Sequence, residues 1–153
     1  MVSIGDNKRL DKKHIKLLSK VGLTLSSEDV NKYVNSKQSV IVLGDKNKVL
    51  GYIMCVVENG TLKIDRYGCS NYVDTELVLT SALNYLINDI DTEVKTSWQK
   101  LTSKDKYNNK INKSSIAVKD KDKTISGLLT LQFEYKFSYN IDDTYTLYTK
   151  EKE

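Results

Sequence analysis

The chain contains no proline, one histidine and two cysteines, and only two of its positive residues, Arg9 and Arg66, are arginines. With His14 as the lone histidine and Cys55 and Cys69 well separated, there is no plausible zinc set. A serine-histidine triad would have to rest on His14 alone, which at the edge of a helical face reads as packing or surface. No apolar run approaches the roughly 18 to 20 residues of a membrane span. There is no G-x-x-x-x-G-K-S/T loop and no dinucleotide fingerprint. The shortage of arginine weakens a nucleic-acid reading, because recognition of phosphate and bases favours the bidentate guanidinium fork. Abundant lysine, asparagine, isoleucine and tyrosine without proline fits an A+T-rich coding sequence. The first residues, M-V-S-I-G-D-N-K-R-L, lack an apolar signal region, which leads us to expect a cytoplasmic protein. If a hairpin turns at Asn59-Gly60, Cys55 faces roughly Ile64 and lies too far from Cys69 to bond, so both cysteines read as small buried hydrophobes.

What remains is a globular composition. The 153 residues are 39% hydrophobic and 29% charged with a net charge of +4, the size of one domain that buries roughly two-thirds of its unfolded surface. Leu10 to Lys20 places Leu10, His14, Ile15, Leu17, Leu18 and Val21 near one helical face, stopped by Gly22. Ser26 or Ser27 caps a second short helix with Glu28 and Asp29 in its first turn. From Gln38 the period becomes that of strands: Ser39 to Leu43, a turn at Asp45 to Lys48, Val49 to Val57, the hairpin signal Asn59-Gly60, and Leu62 to Tyr67. Thr75 to Ile90 is the strongest helix, with Ala82 allowing close approach.

The second half is less regular. Val94 to Trp98 reads as a strand candidate and Lys104 to Lys113 as a polar excursion. Ser115 to Val118 competes for the place of fifth strand, and its spacing to Phe133 favours it. Thr124 to Leu131 reads as a short helix, Phe133 to Asn140 alternates aromatic with polar, and Thr144 to Thr149 closes a hairpin after Asp142-Asp143. Residues 104 to 123 carry seven lysines against three aspartates with Tyr107 between them. That stretch suits an acidic partner, although a soluble loop is the simpler reading.

Strand, two helices, three antiparallel strands, helix, strand, short helix and two strands is the resulting order. With K-V-L-G-Y-I (Lys48 to Ile53) and T-L-Q-F-E-Y-K-F-S-Y (Thr130 to Tyr139), it resembles the GNAT superfamily of N-acetyltransferases across almost the whole chain. The resemblance implies a single α/β (α+β) domain with a mixed, mostly antiparallel twisted sheet of six to seven strands and about four helices. It further implies acetyl-coenzyme A as cofactor, held by a glycine-rich turn that opens the long helix, and an amine as acyl acceptor.

This sequence departs from that pattern. The positions matching the cofactor turn are Tyr67, Gly68, Cys69, Val73, Asp74, Thr75 and Val78, and none of the glycine signature survives in Val73 to Val78. Asp74 and Glu76 should instead cap the helix and repel a pyrophosphate. Acetyl-coenzyme A binding is therefore expected to be lost or much weakened. Where the family often has a general-acid tyrosine, this chain has Leu128 or Leu129. Asp65 and Tyr135 are the remaining catalytic candidates, with Glu58 a further acid near the hairpin and Tyr139 a further tyrosine; the simpler reading makes the acids solvated surface groups and the tyrosines core or sheet-face aromatics. The expected role is a binding or regulatory module whose partner is a protein or a small amine. An active acyl-coenzyme A-dependent N-acyltransferase is the alternative, and a homodimer is left open.

Overall fold

The computed structural model describes residues 5–89, 98, 101–104, 110–119, 123–141 and 144–152. The chain forms two compact units, residues 1–56 with 65–90 and residues 57–64 with 91–153.

In the first unit, β1 (Asp6–Arg9) pairs antiparallel with β2 (Val40–Leu43), and β2 pairs antiparallel with β3 (Val49–Glu58). All four residues of β2 are buried, as expected for a strand covered on both faces. One cover is a 3-10 turn (Lys12–His14) running into α1 (Ile15–Ser19), followed by α2 (Ser27–Asn35). Leu10, Leu18 and Tyr33 from this layer join Ile41, Leu43, Val49, Met54 and Val56 in one apolar cluster. The other helix of the unit is α3 (Thr75–Asn84), which buries Val78, Leu79, Ala82 and Leu83 and continues as a π-helical turn, Tyr85–Asp89. Asn7 of β1 donates to Ser81 of α3 at 2.9 Å. The later half of β4 (Thr61–Cys69) also belongs to this unit.

The second unit begins with the Asn59-Gly60 turn, whose φ values of 52° and 73° are those a two-residue hairpin loop requires. Leu62, Lys63 and Ile64 of β4 pair in parallel with Ile116, Ala117 and Val118 of β6 (Lys110–Val118). β6 pairs antiparallel with β8 (Tyr145–Lys152) from Asn112↔Lys152 to Val118↔Thr146, and β8 pairs with β7 (Lys136–Ile141). β5 (Leu101–Lys104) pairs antiparallel with β6. Between β6 and β7, α4 (Thr124–Gln132) buries Ile125, Leu128 and Leu129. The full strand order is β1-β2-β3-β4-β6-β8-β7, with β5 off that path on β6. The result is a mostly antiparallel sheet with four helices, the fold class expected from the sequence.

Three local expectations change. Lys110 to Lys113 is strand rather than polar excursion, because its backbone pairs with β5 on one side and β8 on the other. Of the strand candidate Val94 to Trp98, residues 94–97 lie outside the described residues, while Trp98 has helical backbone and is fully buried; β6 is the strand beside β4. The aromatic alternation of Phe133 to Asn140 splits. Phe133 and Tyr135 are buried before the strand starts, whereas Phe137 and Tyr139 on β7 are 59% and 57% exposed. β7 is the last strand of the order, and its register against β8 shifts between Phe137 and Tyr139.

Candidate functional site

Tyr67, Gly68 and Cys69 end β4. Ser70 extends the strand pairing by donating its N–H to the Leu50 carbonyl at 3.0 Å. Residues 71–73 then turn the chain into α3. Two glycines make this junction possible. A Cβ on Gly51 would sit 2.6 Å from Val78 Cγ1 and 3.1 Å from the Gly68 carbonyl oxygen, and a Cβ on Gly68 would sit 2.7 Å from Tyr52 Oη. A side chain at Gly51 would press on Val78 and the Gly68 carbonyl, and one at Gly68 would displace the Tyr52 phenol. Gly68 is thus accounted for by Tyr52. Gly51 was not singled out from sequence, and its signal was a glycine inside an otherwise β-branched, alternating run.

Asp74 is the N-cap of α3. Its backbone is extended (φ −73°, ψ 107°) and its carboxylate accepts the Leu77 N–H at 3.2 Å, while its carbonyl accepts the Val78 N–H at 3.0 Å. Glu76 adds a second acid in the first turn. Of the other positions matching the turn, Val78 points into the core and Thr75 is exposed. Cys69 donates its thiol to the Thr75 carbonyl at 3.9 Å, and burial pushes that thiol up to about 11. Tyr72 is 66% exposed, with Lys48 Nζ 6.0 Å from its ring centroid.

An anion at this helix end would share it with the cap and the first-turn acid. One first-turn N–H is already spent on the Asp74 carboxylate, and an approaching phosphate oxygen would meet two negative side chains. A unit charge pair at about 4 Å costs roughly 1 kcal/mol in water and roughly 4 at an effective dielectric near 20. The helix end itself offers about 0.3–1 kcal/mol when exposed. The two acids oppose the dipole with an energy of the same order.

The two catalytic candidates, Asp65 and Tyr135, are each engaged within their own unit. Asp65 accepts from Tyr33 Oη at 2.9 Å and from Lys32 Nζ at 3.2 Å, its side chain only 8% exposed. Burial first, then the Asp65 carboxylate, pushes the Tyr33 phenol well above its ordinary range. Arg66 reaches Asp29 at 3.4 Å beside it, so β4 and α2 are joined by two ion pairs. Tyr135 is buried and hydrogen-bonded to Ser114 Oγ; burial pushes its phenol up to about 12. Of the further candidates, Glu58 pairs with Lys63 at 2.7 Å, Tyr139 is exposed, and Leu128 and Leu129 are buried. Cys55 is fully buried and bonds to the Gln38 carbonyl at 3.1 Å, while its own backbone groups are held by Ser36 and Ser39. Both cysteines are free thiols. Among the described residues no group of three acids, histidines or cysteines could hold a metal ion, and no helix is long and apolar enough to cross a membrane.

No protein-family model matches the chain, and no curated protein is similar to it in sequence. Solved structures do match. An acetyltransferase of the GNAT family from Bacillus cereus superposes with a TM-score of 0.65 at 10% identity, over 99% of both chains. Diaminobutyrate acetyltransferase from Paenibacillus lautus, solved with L-2,4-diaminobutyric acid and coenzyme A, gives 0.61 at 12% identity over 94% of this chain and 92% of that one. The ribosomal-protein-S18-alanine N-acetyltransferase of Escherichia coli gives 0.58 at 7% identity over 95% and 92%.

Proposed function

We propose, from the premise that this chain has the GNAT fold, that it acts as a binding or regulatory module and not as an efficient acetyltransferase. The observation that carries this reading is the Asp74 carboxylate seated on the Leu77 N–H, with Glu76 beside it, at the turn where the fold's acetyltransferases are expected to hold a pyrophosphate. The acids stabilise the helix and discourage the ligand with the same charge. The environments of Asp65 and Tyr135 support the reading too. Asp65 is already engaged by a phenol and an ammonium, and a phenol pushed up to about 12, that of Tyr135, is poorly matched to proton transfer near neutral pH.

Isothermal titration with acetyl-coenzyme A and with coenzyme A tests this. Little or no heat at millimolar ligand is expected, and a saturable isotherm in the micromolar range overturns the reading.

A second reading, an acyl-coenzyme A-dependent N-acyltransferase acting on an amine through an altered turn, is favoured by one observation. Ser70 Oγ, at the strand end just before the turn, is buried with no hydrogen-bond partner among the described residues, leaving a polar group that a bound ligand could satisfy. Release of free thiol from acetyl- or longer acyl-coenzyme A in the presence of an amine panel would establish it. No release across the panel, together with a flat titration, leaves the binding-module reading standing.

A further inference from the structure

An open pocket of about 420 Å3 lies in the first unit, lined by Lys8, Lys13, His14, Leu17, Leu43 and Asn47. No carboxylate is among the described residues of its lining. Neither Lys8 nor Lys13 has an ion-pair partner among the described residues, so two unpaired ammonium groups line one opening.

The histidine is held in a defined state. Its Nδ1 accepts the Asp11 N–H at 3.0 Å, so in the neutral ring the proton must reside on Nε2. Among the described residues Nε2 has no hydrogen-bond partner, although the residue is 96% buried by its 4% exposure. The Asp11 carboxylate, which acts on the ring, is itself engaged with the backbone, accepting from Lys12 N at 2.8 Å. Burial, Lys13 and Lys8 all favour the neutral imidazole, and Asp11 opposes them. With Nδ1 taken by the Asp11 N–H, the neutral ring offers Nε2–H as its donor. Asn47, at φ 60° in the β2–β3 turn, adds a side-chain amide, while Leu17 and Leu43 supply an apolar wall.

We propose that this pocket is a binding site for a phosphate group, free or carried as a monoester on a small organic body. The two lysines match a dianion, the Nε2–H and the Asn47 amide add directional donors for its oxygens, and the leucine wall takes the body of an ester. An adjoining depression of about 660 Å3 shows the contrast. There Lys46 and Lys48 face Asp6 and Asp45, and the balanced charges give an anion no advantage.

Because His14 is the only histidine, its ring-proton resonances report on the pocket without assignment. Inorganic phosphate and glycerol phosphate are titrated at constant ionic strength, with glycerol and sodium chloride as controls. A saturable shift of the His14 resonance is expected, together with a higher titration midpoint for the ring once phosphate is bound. Lys8→Gln and Lys13→Gln each weaken binding about tenfold, the scale of one lost charge pair, whereas Lys48→Gln leaves it unchanged. Tighter binding of glycerol phosphate supports the ester, and equal binding supports the free ion. Absence of a saturable shift, or equal weakening by Lys48→Gln, overturns the site. Circular dichroism of each variant confirms that the exposed lysine changes leave the fold intact.

Discussion

Replacing Asp74 by alanine removes two contributions at the start of α3. The hydrogen bond from the Leu77 N–H to the carboxylate is an N-cap interaction, typically worth about 1 kcal/mol with a range of roughly 0.5–2. The negative charge near the positive helix end adds about 0.3–1 kcal/mol, screened by salt. Together the loss is about 1.5 kcal/mol, which for a chain of this size lowers the melting temperature by about 3–6 °C. Asp74→Ser separates the two, since serine keeps an oxygen for the cap and drops the charge. The expected order of stability in urea unfolding is wild type, then Asp74→Ser, then Asp74→Ala. In about 1 M salt the gap between wild type and serine should close, while the gap between serine and alanine should persist. Equal stability of Asp74→Ala and wild type would refute the capping account, and so would a serine variant as weak as the alanine one. The same variants bear on the proposed function. If the acids at this helix end are what exclude an anion, coenzyme A affinity rises in Asp74→Ser even as stability falls.

Gly51→Ala should destabilise by about 1–3 kcal/mol through overpacking against Val78, since the new methyl would lie 2.6 Å from Val78 Cγ1. Alanine in a strand otherwise gains up to about 1 kcal/mol over glycine, so a stabilised variant in urea unfolding would show that the close approach is not real. Tyr33→Phe should cost about 1.5–3 kcal/mol, the range for a hydrogen bond to a charged group. A double-mutant cycle with Asp65→Asn should recover a coupling of that order, and additive losses would break the assignment. Cys69 should alkylate slowly at pH 8 and about tenfold faster per pH unit up to its folded value of about 11, because the thiolate is the nucleophile. The unfolded chain ionises this thiol first, so its contribution to stability is complete below the thiol's ordinary value and is lost as pH rises toward 11. Alkaline urea titrations of Cys69→Ala should fall less steeply than those of wild type.

Much of the fold was legible because local pattern and tertiary structure agree. The β-branched runs became β2 and β3, Asn59-Gly60 turned the hairpin, and Ser26 and Asp74 capped α2 and α3 through bonds to Asp29 N and Leu77 N. Lys110 to Lys113 was not legible as strand, because its polar side chains carry no period and backbone pairing from β5 and β8 defines it. The edge position of Phe137 and Tyr139 was hidden for the same reason: alternation announces a strand and is silent on whether anything covers its face. Of the candidate site, the acids at the α3 cap were readable from helix-end chemistry alone. Tyr135 was legible as a core aromatic, but its bond to Ser114 was not, nor was the engagement of Asp65 by Tyr33, 32 residues away.

By itself, then, the amino-acid sequence determined the alternation of strands and helices, the caps and turn of the crossover, and the acids in the first turn of α3. These depend on interactions within a few residues, where propensity, periodicity and helix-end electrostatics act. Only the tertiary structure decided why Gly51 and Gly68 are glycine, how Asp65 is held by α2, and that Lys8, Lys13, His14 and Asn47 share one opening. Those depend on which distant segments the sheet brings together, because close packing and charge clustering arise in space between residues that have no relation along the chain.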